Sequence, residues 1–162
     1  MSAQDVVAKD RQVAAAGRGR GEKEIEAIEV EQRIAAQPAT VFAYLTDPAR
    51  FVEWMGIGAE LDPKPGGAFR IDVDGEHFAS GRYVEVEPPH RVVMTWGWEG
   101  SDQVGPGSTT VEITLVPDGA GTLLRLRHTD LPTEEQRTSH RDGWVQYTRS
   151  LAALLPIHGE VA

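Results

Sequence analysis

Residues 38–55 read PATVFAYLTDPARFVEWM, and this stretch decides the fold. Pro38 suits the first turn of a helix, because the N–H that proline lacks would have no partner there. Apolar residues follow at helical spacing until Asp47-Pro48, which ends this helix and starts another, with Asp47 as N-cap and Pro48 at the first helical position. The sequence therefore predicts two brief helices in succession, the second with an apolar side formed by Phe51, Val52 and Trp54.

A strand comes before these helices, and six more come after them. Ile28, Val30 and Ile34 alternate with charged residues, and a period of two is typical of a half-buried strand. After the helices, glycine, proline and aspartate turns separate apolar runs at residues 59–61, 68–73, 78–87, 91–98, 109–116 and 122–129. Short connections join each strand to the next, as in an antiparallel meander.

The last two strands show which of their faces is buried. Val111, Ile113 and Leu115 share one face of the first, and Leu124, Leu126 and His128 share one face of the second. On the opposite face, we expect Glu112, Arg125 and Arg127 to meet across the two strands in solvent.

The final segment predicts a long helix that covers the apolar face of the sheet. Thr133 and Gln136 resemble a capping box at its start. Apolar residues then recur along one stripe, at Trp144, Tyr147, Leu151 and Leu155, and Pro156 stops the helix. Gly143 inside this helix costs about 1 kcal/mol relative to alanine, which indicates close packing or a bend at that position.

Composition excludes several classes of site and partner. The chain has 162 residues, a formal net charge of −9 and no cysteine, so it forms no disulfide and has no thiolate ligand or thiol nucleophile. Residues 25–162 carry 11 basic against 21 acidic side chains, which disfavours nucleic-acid binding by the folded part. Metal-binding, dinucleotide-binding and serine-hydrolase motifs are absent, so we expect no metal and no cofactor.

The N-terminal segment has the composition of a linker. Residues 1–24 include GRGRG at 17–21 and are predicted to form a flexible tail, followed by one domain over 25–158 and a short tail over 159–162. No apolar run approaches the ~20 residues that cross a bilayer, and no signal peptide is evident, so a cytoplasmic protein is expected.

Five blocks of the sequence carry a family resemblance. Residues 38–55, PGGAFRID at 65–72, GRYVEVEPPHRVVMTWGW at 81–98, TTVEITLVPDGAGTLLRLRHTDLP at 109–132 and GWVQYTRSLAALL at 143–155 follow in order. Together they resemble the activator of heat-shock-protein ATPase homologue family, a branch of the START-like SRPBCC superfamily. The resemblance implies an α+β helix-grip (Bet v-like) fold, in which a seven-stranded antiparallel sheet wraps around a long C-terminal helix.

The resemblance implies three functions, which the residues leave open. The first is a cytoplasmic module, a monomer or weak dimer, that binds a lipid, sterol or polyketide-like molecule in a cavity between sheet and helix. The second is an enzyme of cyclase or dehydratase type that uses residues of this cavity. The third is a protein-interaction module of the co-chaperone kind.

The candidate binding residues face the gap between sheet and helix, which needs apolar walls and a few polar groups to orient a ligand. They are Trp54, Phe69, Ile71, Met94, Trp96, Ile113, Leu126, His128, Trp144 and Tyr147. His128 is the best candidate for a ligand-orienting group or an acid–base catalyst, and the alternative is a core histidine with satisfied hydrogen bonds. Arg70, Arg82 and Glu85 are expected at the surface, and a partly exposed His140 is expected near the entrance.

Overall fold

A computed structural model describes residues 27–155, and the two predicted tails lie outside these residues. The order of elements matches the prediction of one strand, two short helices, six strands and a long helix. The elements are β1 (Ile28–Ile34), α1 (Pro38–Thr46), α2 (Pro48–Phe51), β2 (Gly58–Leu61), β3 (Ala68–Asp72), β4 (Phe78–Glu87), β5 (Arg91–Trp96), β6 (Thr109–Asp118), β7 (Gly121–Thr129) and α3 (Glu134–Leu154).

All seven strands form one antiparallel sheet in the order β1-β7-β6-β5-β4-β3-β2. Strands β2 to β7 are a meander, as predicted. The prediction is wrong for β1, which pairs with β7 and not with its successor β2. The chain between them contains α1 and α2, and these helices carry it from one edge of the sheet to the other.

Local sequence signals fix the starts of the short and long helices. Asp47 caps α2 by accepting a hydrogen bond from the Ala49 amide at 3.1 Å, as predicted. Thr133 caps α3 in the same way, since its hydroxyl oxygen accepts from the Gln136 amide at 3.1 Å. None of the helices within residues 27–155 is long and apolar enough to cross a bilayer.

The outer face of the sheet carries a ladder of ion pairs. Arg127 pairs with Glu29 at 3.5 Å and with Glu112 at 3.9 Å. Arg91 continues the ladder, since it pairs with Glu112 at 3.5 Å and with Glu85 at 3.0 Å. The predicted contact of Glu112 with Arg127 is therefore confirmed. The predicted contact with Arg125 is wrong, because Arg125 lies opposite Glu31 on β1 and pairs with it at 3.1 Å.

The inner face of the sheet and α3 enclose the core. Alternation along β6 and β7 buries the residues predicted to face inward, including a His128 that has no exposed surface. On the helix, Trp144 and Leu151 are buried as predicted, and Tyr147 is half-buried. The same helix face also buries Gln136, Ser139, His140 and Thr148, so the helix presents many polar groups to an apolar sheet.

Candidate functional site

The ten predicted binding residues all belong to the core or pack against it. Eight of them are apolar or aromatic members of one buried cluster, Tyr147 is half-buried and packs against that cluster, and His128 is fully buried. Trp96 lies at the centre, with ring centroids 5.0 Å from Trp144, 5.9 Å from Phe69 and 6.2 Å from His128. Much of the predicted cavity centre is thus occupied by aromatic rings in contact with each other.

His128 is held by one residue from α3 and one from β6. The indole Nε1 of Trp144 donates to His128 Nδ1 at 3.0 Å, so this nitrogen carries no proton, because an indole can only donate. The Thr109 hydroxyl donates to the Trp96 carbonyl oxygen at 2.7 Å and lies 2.8 Å from His128 Nε2. The network therefore assigns the proton to Nε2, which donates to Thr109.

His140 lies on α3, one helical turn before Trp144, and it is held in the same manner as His128. Its Nε2 accepts from the Trp98 indole at 3.1 Å, and its Nδ1 donates to the Gln136 carbonyl oxygen at 2.8 Å. The expectation of a partly exposed His140 is wrong, because the side chain is 3% exposed. Its position four residues before Trp144 places it on the same helix face as that buried ring.

The two histidines form a neutral pair inside the core. Their ring centroids are 5.2 Å apart, and neither takes part in an ion pair among residues 27–155. Burial lowers the pKa of His140 to about 4. Burial, with a smaller contribution from His140, holds the pKa of His128 well below its ordinary value. Protein groups engage both ring nitrogens of each histidine, which is the arrangement of core histidines with satisfied hydrogen bonds.

Two other polar groups in the core have no hydrogen-bond partner within residues 27–155. They are the indole Nε1 of Trp96 and the hydroxyl of Ser139, whose residues are 2% and 0% exposed. A buried polar group without a partner costs about 1–3 kcal/mol, so each of these groups needs an explanation. Ser139 comes from the inner side of α3, and Trp96 comes from the middle of the sheet.

Open space lies beside Gly143, one helical turn after Ser139. Gly143 is buried, yet a Cβ atom added to it would have no neighbour within 4 Å. Of the two expectations for this glycine, close packing or a bend, the first is therefore wrong. Ser139, Gly143 and Tyr147 follow at intervals of four residues and lie along one side of α3, which we call the α3 flank. Burial raises the pKa of Tyr147, and the negative charge of Asp74 adds to the shift.

The remaining polar candidates lie outside this space. Arg70 forms an ion pair with Glu99 at 2.8 Å, and its guanidinium lies 4.2 Å from the centre of the Phe78 ring. Arg82 donates to the Gly66 carbonyl oxygen at 3.2 Å, and Glu85 belongs to the outer ladder. Residues 27–155 contain no group of three His, Asp or Glu side chains that could hold a metal ion.

Sequence reasoning missed several of the polar groups of this site, although two left a signal. Thr109 has the same strand parity as Val111 and Ile113, and His140 shares the helix face of Trp144, so periodicity alone could have placed both inside. Ser139 and Gly143 lie on the side of the helix face and carry no comparable signal. Their importance depends on which neighbours are near them in space.

Comparison with known proteins places the chain in a family. The family model described as Activator of Hsp90 ATPase homolog 1-like protein matches residues 35–156. The chain belongs to this family. Its architecture is the helix-grip fold of the START-like SRPBCC superfamily, as the sequence resemblance implied. None of the curated proteins compared with the chain matches it.

Solved structures of relatives agree with this assignment. An AHSA1-like protein from Rhizobium etli is 47% identical, with 78% of this chain and 79% of that chain covered and a TM-score of 0.63. CalU16 from Micromonospora echinospora is 31% identical, with 78% and 74% covered and a TM-score of 0.66. DynU16, from the dynemicin biosynthetic locus, is similar in fold at 24% identity and a TM-score of 0.71, with 80% of this chain and 47% of that longer chain covered.

Proposed function

We propose that this protein binds a small, largely apolar molecule between the sheet and α3, with the α3 flank as the part of the site that receives it. The observation that carries the proposal is the open space beside the buried Gly143, one turn from the unpartnered hydroxyl of Ser139. The aromatic rings at the centre of the core contact each other, so the flank offers more room than the centre.

Energetics support an occupant at the flank. A glycine in a helix interior costs about 1 kcal/mol relative to alanine, and no neighbour of Gly143 requires the smaller residue. The buried Ser139 hydroxyl adds a cost of about 1–3 kcal/mol while it has no partner. A ligand that bonds to Ser139 would remove the second cost, and a glycine that keeps the space open for that ligand accounts for the first. Apolar walls with a few polar groups are the usual composition of such sites.

The setting of one relative by fold supports the same class of function. DynU16 comes from the dynemicin biosynthetic locus, a setting in which a small-molecule-binding domain is expected. For the present chain, the cytoplasmic location and the monomeric or weakly dimeric state stay predictions from the sequence.

We infer a structural role for both histidines within this site. His128 fixes Trp144 and Thr109, and His140 fixes Trp98, so together they hold α3 onto the sheet. An acid–base role in a cyclase or dehydratase reaction would need a ring nitrogen that faces the ligand. Both nitrogens of each ring already have protein partners, so the binding function is favoured over the catalytic one.

A pair of leucine substitutions on α3 tests the proposal. Gly143→Leu fills the space at the flank, whereas Ala153→Leu adds bulk at an exposed position of the same helix. With 2-ethylnaphthalene as the probe and calorimetric titration as the assay, we expect Gly143→Leu to weaken binding at least tenfold and Ala153→Leu to leave it unchanged.

Circular dichroism establishes that both variants are folded. If Gly143→Leu does not fold, Gly143→Ala serves in its place, because one methyl group still narrows the space and should weaken binding by a smaller factor. The proposal fails if the wild-type protein shows no saturable binding, or if filling the space at Gly143 leaves the affinity unchanged.

A further inference from the structure

The four tryptophans of the chain differ in what their indole N–H groups contact. Three of them donate to protein acceptors, namely Trp54 to the Tyr44 carbonyl oxygen at 2.9 Å, Trp98 to His140 at 3.1 Å and Trp144 to His128 at 3.0 Å. The fourth, Trp96, is the most central, and its Nε1 has no acceptor within residues 27–155. The core therefore satisfies every indole but the one at its middle.

Neighbouring protein acceptors of Trp96 are already in use. The His128 ring centroid lies 6.2 Å from that of Trp96, but the imidazole nitrogens of His128 are engaged by Trp144 and Thr109. The backbone carbonyl of Trp96 itself accepts from Thr109. An indole N–H is a donor and never an acceptor, so its missing partner must present an oxygen or nitrogen lone pair.

The surrounding groups limit the charge of that partner. The buried polar side chains of the described core are threonine, serine, glutamine and histidine, none of them charged at neutral pH. A carboxylate or phosphate would lose its hydration there without meeting a cation. The acceptor therefore belongs to an uncharged group such as a carbonyl.

The shape of the partner follows from the rings around Trp96. Phe69, Trp98 and Trp144 have ring centroids 5.9, 5.6 and 5.0 Å from it, in tilted or edge-to-face arrangements. Aromatic rings at these distances pack best against another flat ring, offset or edge-on. These rings already contact each other, so a ligand that reaches Trp96 from the α3 flank meets the edge of the aromatic cluster, and a planar aromatic skeleton fits that edge better than a flexible alkyl chain.

We propose that the ligand class is an uncharged aromatic ketone or aldehyde whose carbonyl oxygen accepts a hydrogen bond from Trp96 Nε1. This inference rests on the proposed function, because it assigns chemistry to the occupant of the same space. It adds a donor from the sheet to the flank residues of α3, so the ligand would extend from Gly143 toward the middle of the sheet.

Two probes of nearly equal shape test the inference. In 2-acetylnaphthalene a carbonyl replaces the CH2 group that is attached to the ring in 2-ethylnaphthalene, so only the acetyl compound can accept a hydrogen bond from Trp96. We expect the wild-type protein to bind the acetyl probe about tenfold more tightly, the factor typical of one buried neutral hydrogen bond. Trp96→Phe, which keeps a ring and removes the N–H, should reduce this preference to less than about threefold.

Tyr83→Phe is the matched control. It removes a buried donor of the same core, but one that has a protein acceptor, since the Tyr83 hydroxyl donates to the Leu45 carbonyl oxygen at 3.3 Å. The preference for the acetyl probe should survive this change. If Trp96→Phe does not fold, NMR of the wild-type protein serves instead of the variant. The indole N–H resonance of Trp96 in a ¹⁵N-resolved spectrum should then move to lower field with the acetyl probe and not with the ethyl probe.

The outcomes separate the two proposals. Equal affinity of the wild-type protein for both probes overturns the inference about Trp96 and leaves the binding function standing. A tenfold preference that persists in Trp96→Phe also overturns it, because the carbonyl then has another donor. Failure of the wild-type protein to bind either probe overturns the binding function and the inference together.

Discussion

Mild acid should destabilise this protein through its two buried histidines. His128 and His140 are neutral in the native state, and each accepts a hydrogen bond from an indole that cannot accept a proton in return. Protonation of either ring would break that bond and place a charge in the core. The unfolded chain meets no such obstacle and protonates its histidines near pH 6.5.

The sign of the effect follows from which state binds protons first. Above pH ~6.5 both states hold these histidines neutral, so their full contribution to stability is present. As the pH falls below that value the unfolded state takes up protons, whereas native His140 stays neutral until its pKa of about 4, and burial likewise holds the pKa of native His128 well below its ordinary value. The free energy of unfolding therefore decreases as the pH falls through this window.

The magnitude is large enough to measure. Lowering the pH from about 7.5 to about 5.5 costs roughly 1.4 kcal/mol for each histidine, hence about 3 kcal/mol for the pair. Domains of this size have only about 5–15 kcal/mol of total stability. Carboxylates with lowered pKa, such as Glu99 beside Arg70, lose their contribution at lower pH, near the ordinary value of 4.5, so they fall outside this window.

Urea unfolding at a series of pH values, followed by tryptophan fluorescence, measures this loss. His140→Gln keeps an acceptor for Trp98 and cannot titrate, so it should halve the loss to about 1.4 kcal/mol over the same range. His90→Gln changes an exposed turn histidine and should leave the loss unchanged. A wild-type loss below about 1 kcal/mol would refute the reasoning, as would a His140→Gln variant with the pH dependence of the wild type.

Three further substitutions have effects that the structure predicts. Gly143→Ala should raise the free energy of unfolding by about 0.5–1 kcal/mol, because the added methyl has open space and alanine favours the helix; urea unfolding would expose any clash as a decrease. Gly97→Ala should lower it by more than about 2 kcal/mol, because its Cβ would overlap the Gly105 carbonyl oxygen, whereas Gly105→Ala has room and serves as its control. Glu112→Gln should cost less than about 1 kcal/mol and cost less still in high salt, since its ion pairs with Arg91 and Arg127 are partly exposed; a cost of several kcal/mol at any salt concentration would contradict this.

The elements of the fold could be predicted from local patterns, and the sheet order could not. Proline at helix starts, the Asp47 and Thr133 caps and strict alternation in β6 and β7 are properties of neighbouring residues, and the structure confirms them. The position of β1 beside β7 depends on pairing between Ile28 and His128, which are far apart in sequence. No turn signal near β1 carries that information, so the simple meander was wrong at its first strand.

Strand boundaries show the same limit on a smaller scale. The strand predicted to reach Trp98 ends at Trp96, and the backbone of the next residue, Gly97, lies close to that of Gly105. Trp98 forms an isolated β-bridge with Ala79, and its indole N–H donates a hydrogen bond to His140. A contact between a loop and a distant helix decides this geometry, and composition near residue 97 does not encode it.

In the candidate site, the periodicity of the sequence predicted which apolar residues are buried. It could not predict which buried polar groups lack a hydrogen-bond partner. The ten predicted residues are buried or half-buried in or beside one core, because burial follows strand and helix periods, and their role in binding stays a prediction. Whether an indole N–H or a hydroxyl finds an acceptor depends on ångström-scale geometry. The unpaired Trp96 and Ser139 and the open side of Gly143 are consequently visible only in three dimensions.

Binding of an apolar ligand at the α3 flank can be observed directly in a titration followed by ¹H–¹⁵N correlation spectra. On addition of 2-acetylnaphthalene, we expect saturable shifts at the amides of Ser139, Gly143 and Tyr147 and at the indole of Trp96. The amides of Glu112 and Arg127, on the outer face of the sheet, should not move. Saturable shifts confined to the outer face, or the absence of a shift at Gly143, would show that the ligand does not bind at the α3 flank.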